Sequence, residues 1–294
     1  MKILIFGGSG FIGKNLINKF SSKDLILIVS NKSKIKSKNR NIKTIKQDLL
    51  QPLKKDIINF QPDIIYNLCW YGIPNFNFSN CIINLRISMN IINNLKRFKN
   101  LKKIIFAGSC KEYLESSKKI NEKSNLNLID DFSITKNFIK SYLIYFCNLH
   151  KIKYNWVSIF YVYGRYQRKA SLIPYLVSSI KNKKKIKINN MYYKCDFIYI
   201  DDLVEFLNLL KIKINQNGVF NIGHSKLYNA QDVIKIIHKI FKKEVNIDKS
   251  NYISKISANN NFLLSDISKA KNKLGWAPKT SLKMGIKKYI ENEY

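Results

Sequence analysis

Only three histidines and five cysteines occur among the 294 residues, and neither set has a spacing that chemistry would use. His150, His224 and His238 form no metal-ligand or nucleophile–base pattern, so they read as structural or exposed groups. Cys69, Cys81, Cys110, Cys147 and Cys195 are odd in number and scattered. That excludes a disulfide framework, matches no metal-site spacing, and points to a reduced, cytoplasmic protein. No apolar run reaches the roughly 18 residues needed to span a bilayer, so no membrane segment is expected. The apolar start, MKILIFGGSGFIG, is interrupted by glycines and lacks a cleavage site; it reads as a buried strand entering a loop.

Arginine is scarce too, at positions 40, 86, 97, 165 and 168 only, so lysine carries nearly all of the +33 formal charge. Asn, Ile, Tyr and Phe are also abundant, and these residues share AT-rich codons. Base composition therefore explains the charge without a nucleic-acid partner, and the residue best suited to bidentate phosphate or base contacts is the rare one. The field would still attract a small anionic substrate. With 46% hydrophobic residues the chain is not a disordered one.

Short β-branched runs at 2–7, 25–30, 42–48, 63–69, 102–109 and 155–164 read as strands. Amphipathic stretches at 12–20, 51–60, 79–98 and 133–150 separate them as helices. This alternation predicts an α/β fold: a Rossmann-type doubly wound parallel sheet, with a smaller C-terminal α/β substrate domain. The expected division is 1–165 and 166–294, with about 196–223 returning to the first domain. In the second part, 185–200 reads as paired strands, 218–223 as a strand, and 170–182, 201–211 and 229–241 as helices. Ser265 or Asp266 is placed to cap a further helix ending near Gly275.

GGSGFIG (7–13) follows the first strand directly and opens a helix. Gly7 and Gly10 allow a pyrophosphate to approach the backbone, where a Cβ would hold it off. Gly13 lets the helix pack on the strand, and the N–H groups around Phe11 and Ile12 face the phosphates. NAD enzymes place an acid at the end of the second strand; here Ser30, Asn31, Lys32 and Lys34 stand there, which leans towards the 2′-phosphate of NADP. Asp48 and Leu49, after the third strand, are expected at the adenine, and Leu68 and Cys69 along the cofactor.

Several further stretches are ordered in the same way as in a known family. AGSCKEY (107–113), NLRISMNIINNL (84–95), FYVYG (160–164), CDFIYIDD (195–202), FNIGHSKLYNAQDV (220–233) and DISKAKNKLGWAPKTSLKMGI (266–286) accompany the Gly loop. Together the chain resembles, over nearly its whole length, the extended short-chain dehydrogenase/reductases of the NAD-dependent epimerase/dehydratase group, which act on nucleotide sugars. The resemblance implies that Ser109 hydrogen-bonds the sugar and that Lys136 binds the nicotinamide ribose, with Tyr161 also near the cofactor. Trp70, Cys110, Tyr163 and Lys194 would line the substrate. It also implies a homodimer through helices 79–98 and 133–150.

DFSITKNF (131–138) departs from the family at its centre. Lys136 stands four residues after Phe132, where the family has the tyrosine that moves the proton. Three readings stay open. In the first, Tyr113, Tyr161, Tyr163, a substrate hydroxyl or water supplies the proton; in the second, the chain binds dinucleotide or RNA without turnover; in the third, the register is off. Tyr142 and Tyr145 argue against the last, because Phe146 and Leu149 occupy the positions four residues later. Cys110-Lys111 after Ser109 argues against 4,6-dehydration, which uses Asp-Glu there. The expected activity is that of an NAD(P)-dependent epimerase or 4-keto reductase on a nucleotide-linked deoxysugar, serving surface polysaccharide synthesis.

Overall fold

The computed structural model describes residues 1–31, 41–188, 190–248 and 261–293. Strand β1 (Lys2–Phe6) leads through the Gly loop into α1 (Phe11–Ile17) and β2 (Leu25–Ser30). β3 (Ile42–Lys46), α2 (Lys55–Asn59), β4 (Ile64–Asn67) and α3 (Phe78–Asn94) follow. Next come β5 (Lys103–Ser109), α4 (Asp131–Leu149), β6 (Lys153–Ile159), β7 (Tyr161–Tyr163) and α5 (Leu172–Lys181). β8 (Cys195–Tyr199), α6 (Ile200–Ile212), β9 (Gly218–Ile222), β10 (Leu227–Tyr228) and α7 (Ala230–Phe241) precede the terminal helices α8 (Ser268–Leu274) and α9 (Leu282–Glu293).

Seven strands form one sheet in the order β3-β2-β1-β4-β5-β6-β9, and β10-β8-β7 form a second. The pairings from β3 across to β6 are parallel. The order reverses between β1 and β4, the point where Rossmann sheets open a crevice at the carboxyl ends of their strands. Ile3, Leu4, Ile5 and Phe6 of β1 are all buried. A central parallel strand covered on both faces has this unbroken apolar pattern. One core packs Leu4, Phe6, Ile65, Ile104 and Phe106 against Ile91, Ile139 and Leu143 of α3 and α4.

Each long helix that positions the site has a capped start. Asn77 accepts from the Asn80 N–H and Asp130 from the Ser133 N–H, satisfying donors that the helix itself cannot.

The structure differs from the sequence expectations in several places. The run 155–164 is two strands in two sheets: β6 ends at Ile159 and β7 starts at Tyr161, with Phe160 between them donating its N–H to Ile222 O of β9 (2.9 Å). Among the described residues of 185–200 only β8 is a strand. α2 is shorter than 51–60: Pro52 lies before its start, and Gln61 follows with a positive φ of 47°. Asp266 Oδ1 accepts from the Ser268 N–H at the start of α8, while Ser265 is bound instead to Asp196. The chain divides into two compact units: Met1–Leu114, Ser124–Ile159 and Val204–Phe220 in one, Glu115–Lys123, Phe160–Leu203 and Asn221–Tyr294 in the other. The division falls at Ile159 rather than 165, and the returning segment is 204–220 rather than 196–223.

Candidate active site

The Gly loop joins the carboxyl end of β1 to α1. Gly7 has φ +80°, a conformation that favours glycine, and a Cβ there would lie 2.9 Å from Cys69 N and Leu68 C. A Cβ at Gly13 would lie 2.6 Å from Gly8 Cα, so α1 starts hard against the loop. At Gly10 the only neighbour would be Gly7 O at 3.2 Å. Gly7 and Gly13 are therefore required by packing, whereas a Cβ at Gly10 would meet, among the described residues, only Gly7 O. Gly10 is the N-cap of α1 and offers no side-chain acceptor. The N–H groups of Phe11, Ile12 and Gly13 are thus the unsatisfied donors of a helix start, beside a face that a Cβ would fill. These features suit the pyrophosphate of a dinucleotide.

Around this loop the adenosine-end residues divide. Ser30, buried at the end of β2, shares a 2.7 Å hydrogen bond with Ser9 Oγ and so ties the strand end to the loop. Asn31 is exposed, and Lys32 and Lys34 lie outside the described residues. Asp48 Oδ1 accepts from the Leu50 N–H (2.9 Å), closing its own turn. Leu49 is buried, and its carbonyl accepts from Asn90 Nδ2 (2.8 Å) on α3. The role of Asn90 had no spacing signal of its own.

At the other end, Lys136 reaches from α4 to the ends of β4 and β5. Its Nζ donates to Ala107 O (2.8 Å) and lies 4.2 Å from the Trp70 ring centroid and 5.7 Å from that of Trp156. Burial pulls its pKa down to about 8, while the Glu112 charge opposes that fall. Burial pushes the neighbouring Cys69 thiol up to about 12, so it is neutral and unreactive near pH 8. Ser109 ends β5, half-buried, and its Oγ accepts from the Lys111 N–H (3.3 Å). Cys110 is buried beside it.

Phe132, one helical turn before Lys136, does not mimic a phenol. It is buried between Trp70 and Phe76, with ring centroids 4.9 and 4.6 Å away. Such tilted aromatic contacts are favourable in themselves and lock the ring in place. The Trp70–Tyr71 turn is held from α3, where Asn84 Oδ1 accepts from the Tyr71 N–H (2.6 Å) and Nδ2 donates to Tyr71 O (3.0 Å).

The sequence reading missed Glu112. This fully buried residue accepts from the Ser109 N–H (2.6 Å), Trp156 Nε1 (2.8 Å) and Lys140 Nζ (3.2 Å). Its signal was present: Ser109-x-x-Glu112 is a capping-box spacing, and the box is formed at the short helical turn after β5. Lys140, one turn beyond Lys136, is buried as the partner of Glu112.

The tyrosines proposed as stand-ins differ. Tyr113 is buried, with its hydroxyl 3.4 Å from Ser158 Oγ. In the second unit Tyr163 donates to Leu282 O (3.3 Å), and burial holds its phenol far above the usual range. Tyr161 shares a 3.0 Å hydrogen bond with Tyr193, which donates to Glu115 (2.7 Å). Lys194 is exposed. Among the described residues no group of three His, Cys, Asp or Glu could hold a metal, and no helix is long and apolar enough to cross a membrane.

Comparison with known proteins agrees with this geometry. The chain is 26% identical over 311 positions to a putative UDP-glucose 4-epimerase of Methanocaldococcus jannaschii, covering 98% of this chain and 97% of that protein. It is 28% identical over 312 positions to a dTDP-4-dehydro-6-deoxyglucose reductase of Escherichia coli, covering 99% and 96%. Its fold matches UDP-glucuronic acid 4-epimerase from Bacillus cereus, solved with UDP-glucuronic acid and NAD, at a TM-score of 0.85, 22% identity and 100% of both chains. Residues 3–223, from β1 through the Gly loop, Ser109 and Lys136 to the end of β9, match one family model, and the chain belongs to the NAD dependent epimerase/dehydratase family.

Proposed function

We propose that the protein uses NAD or NADP to oxidise or reduce a nucleotide-linked sugar, as an epimerase or 4-keto reductase in the making of a surface polysaccharide. One observation carries this reading. The Gly loop, the Leu68–Trp70 turn and the Ser109–Lys136 pair meet at the carboxyl ends of β1, β4 and β5, where the strand order reverses. The UDP-glucose epimerase and dTDP-sugar reductase named above support the substrate class. The lack of an acid at the end of β2, with Asn31 and Lys32 there instead, favours NADP.

In this reading the N–H groups at the start of α1 hold the pyrophosphate, and Lys136 holds the nicotinamide ribose. Bound there, the nicotinamide supplies a hydride to a sugar carbon or takes one from it. Ser109 hydrogen-bonds the sugar oxygen. In the reducing direction that oxygen must gain a proton, and Phe132 has none to give. Lys136 does: an ammonium with a pKa of about 8 passes its proton to the oxygen, becomes a neutral amine, and is reprotonated by water. Tyr113 and Tyr163 are both buried and engaged elsewhere.

Outward-facing apolar residues on α3 (Phe78, Ile82) and α4 (Ile134, Phe138, Tyr145, Leu149) support a homodimer through these helices.

A thermal-shift and fluorescence titration with NADH, NADPH and a panel of UDP- and dTDP-sugars tests the reading. A dinucleotide at 100 times its Kd adds about 2.7 kcal/mol of stability. No response to either dinucleotide overturns it. The burial of Phe132 favours one alternative, a family member that binds dinucleotide without turnover. Tight dinucleotide binding with no sugar-dependent redox change selects that alternative. Salt-sensitive RNA binding without dinucleotide binding would replace both.

A further inference from the structure

Glu112 is a buried carboxylate that the proposed chemistry leaves unused. Both of its oxygens are committed. Oε1 accepts from the Ser109 N–H, and Oε2 accepts from Lys140 Nζ and Trp156 Nε1, with Ser158 Oγ at 3.5 Å. Gly108 makes room for it, since a Cβ there would collide with the Trp156 indole and come within 2.7 Å of Oε1. With these partners and no exposure, Glu112 cannot exchange protons with a substrate. It can act only through its neighbours.

Two of those neighbours belong to the site. Ser109 is held by its backbone N–H. The Trp156 indole, fixed by its bond to Glu112, lies 5.7 Å from Lys136 Nζ. Among the described residues, the charged and titratable groups that act on Lys136 are Glu112 from the turn after β5 and Cys69 from the end of β4, while Lys140 lies one turn further along its own helix. Cys69 is a neutral thiol at pH 8. Glu112 is therefore the anion that counters the burial of Lys136.

We propose that Glu112 is a positioning residue for the site, clamping the Ser109 end of β5 and supplying the negative charge that Lys136 faces in the interior. Lys140 is the direct ion-pair partner of Glu112 (3.2 Å), so the same carboxylate contacts Lys140 and attracts Lys136 over a longer range. The inference rests on the reading of Lys136 as the proton donor.

The test is a pH titration of the Lys136 side chain by NMR, in full-length protein carrying ε-13C lysine. The resonance is assigned by its absence from Lys136→Met. The native midpoint is expected near 8. Glu112→Gln moves it down, because the countercharge is gone. Lys140→Met moves it up, because a competing cation is gone. Both variants break the same buried pair, so a purely structural role would not move the midpoint in opposite directions. If Glu112→Gln alone does not fold, it is added to Lys140→Met, where it must lower the midpoint relative to Lys140→Met. An unmoved midpoint, or shifts of the same sign, overturns the inference. Dinucleotide binding is measured on the native protein in parallel. Its absence overturns the proposed function, whereas intact binding with an unmoved midpoint overturns the role of Glu112 alone.

Discussion

The proposed phosphate end and the proposed proton end of the site lie at neighbouring strand ends in the same unit, yet they are built from different parts of the chain. The phosphate end is made of backbone. Gly7, Gly10 and Gly13 contribute by having no side chain, and the donors are N–H groups at a helix start. The proton end is made of side chains: Ser109, Lys136, Glu112, Lys140, Trp70 and Trp156. A backbone site tolerates almost any sequence around its glycines. A side-chain site changes its chemistry when one hydroxyl is lost. On the proposed reading Phe132 illustrates this, because the exchange of one hydroxyl would remove the acid while Ser109 and Lys136 stay in the site.

Four experiments bear on this contrast. The largest effect is expected from Lys136→Met, which removes the proposed acid and the ribose contact together. Loss of a general acid alone costs about 10²–10⁴-fold in rate. Steady-state turnover should fall by at least that much while circular dichroism stays native, because methionine fills the same buried space and only the contact of Nζ with Ala107 O and the attraction to Glu112 are lost. Retained turnover would move the proton chemistry elsewhere, with Tyr161 the next variant to make.

Next in size is Gly10→Ala. Among the described residues the new methyl meets only Gly7 O, at a tight 3.2 Å that a shift of a few tenths of an ångström relieves, so the fold is expected to persist. It does stand where the pyrophosphate would come. Losing one or two hydrogen bonds to a charged group costs about 1.5–3 kcal/mol, or roughly 10- to 100-fold in NADH affinity by fluorescence titration. An unchanged Kd would place the phosphates away from this loop.

The third concerns pH. With Lys136 as acid, the reducing direction needs its protonated form. The rate should be level below about 8 and fall about tenfold per pH unit above it, as the ammonium is lost. The oxidising direction, which needs the amine, should show the mirror image. A profile flat across pH 7–10 argues against Lys136.

The smallest and most informative change is Phe132→Tyr. The ring sits in an aromatic pocket, so the hydroxyl must find a partner or cost about 1–3 kcal/mol of stability. If turnover rises or first appears, the native chain lacks its acid. If a working native enzyme gains nothing, Lys136 is sufficient. The dimer is checked separately: Phe138→Glu on the exposed face of α4 should shift the light-scattering mass from two chains to one.

Much of the fold could be read from local pattern. Strand β2 was expected at 25–30 and occurs there, because its limits are set by Asp24 on one side and a polar run on the other. The break at Phe160 could not be read, since 155–164 is uniformly apolar and aromatic and nothing in it says which sheet each residue joins. The Gly loop was legible because its constraint is local and steric. Glu112 was harder, since its three partners come from β5, β6 and α4 and only one, Ser109, is near in sequence. Phe132 was read as a substitution from its spacing to Lys136 within the family resemblance. That its ring turns into Trp70 and Phe76 depends on a turn more than fifty residues away in the chain.

The segment Val204–Phe220 belongs to the same unit as β1 and β4, although two other stretches of chain intervene. Three ties hold its helix there: Tyr66 donates its hydroxyl to Leu207 O, Lys103 its ammonium to Leu210 O and Lys213 O, and Lys211 its own to Asp24. A fragment cut after Ile159 would keep the Gly loop, Ser109 and Lys136, yet deprive the buried Tyr66 hydroxyl and Lys103 ammonium of these acceptors and leave Asp24 with only its Met1 and Ser21 donors. The unit proposed to bind is therefore completed only by residues 204–220, which the chain reaches after Phe160–Leu203 of the second unit.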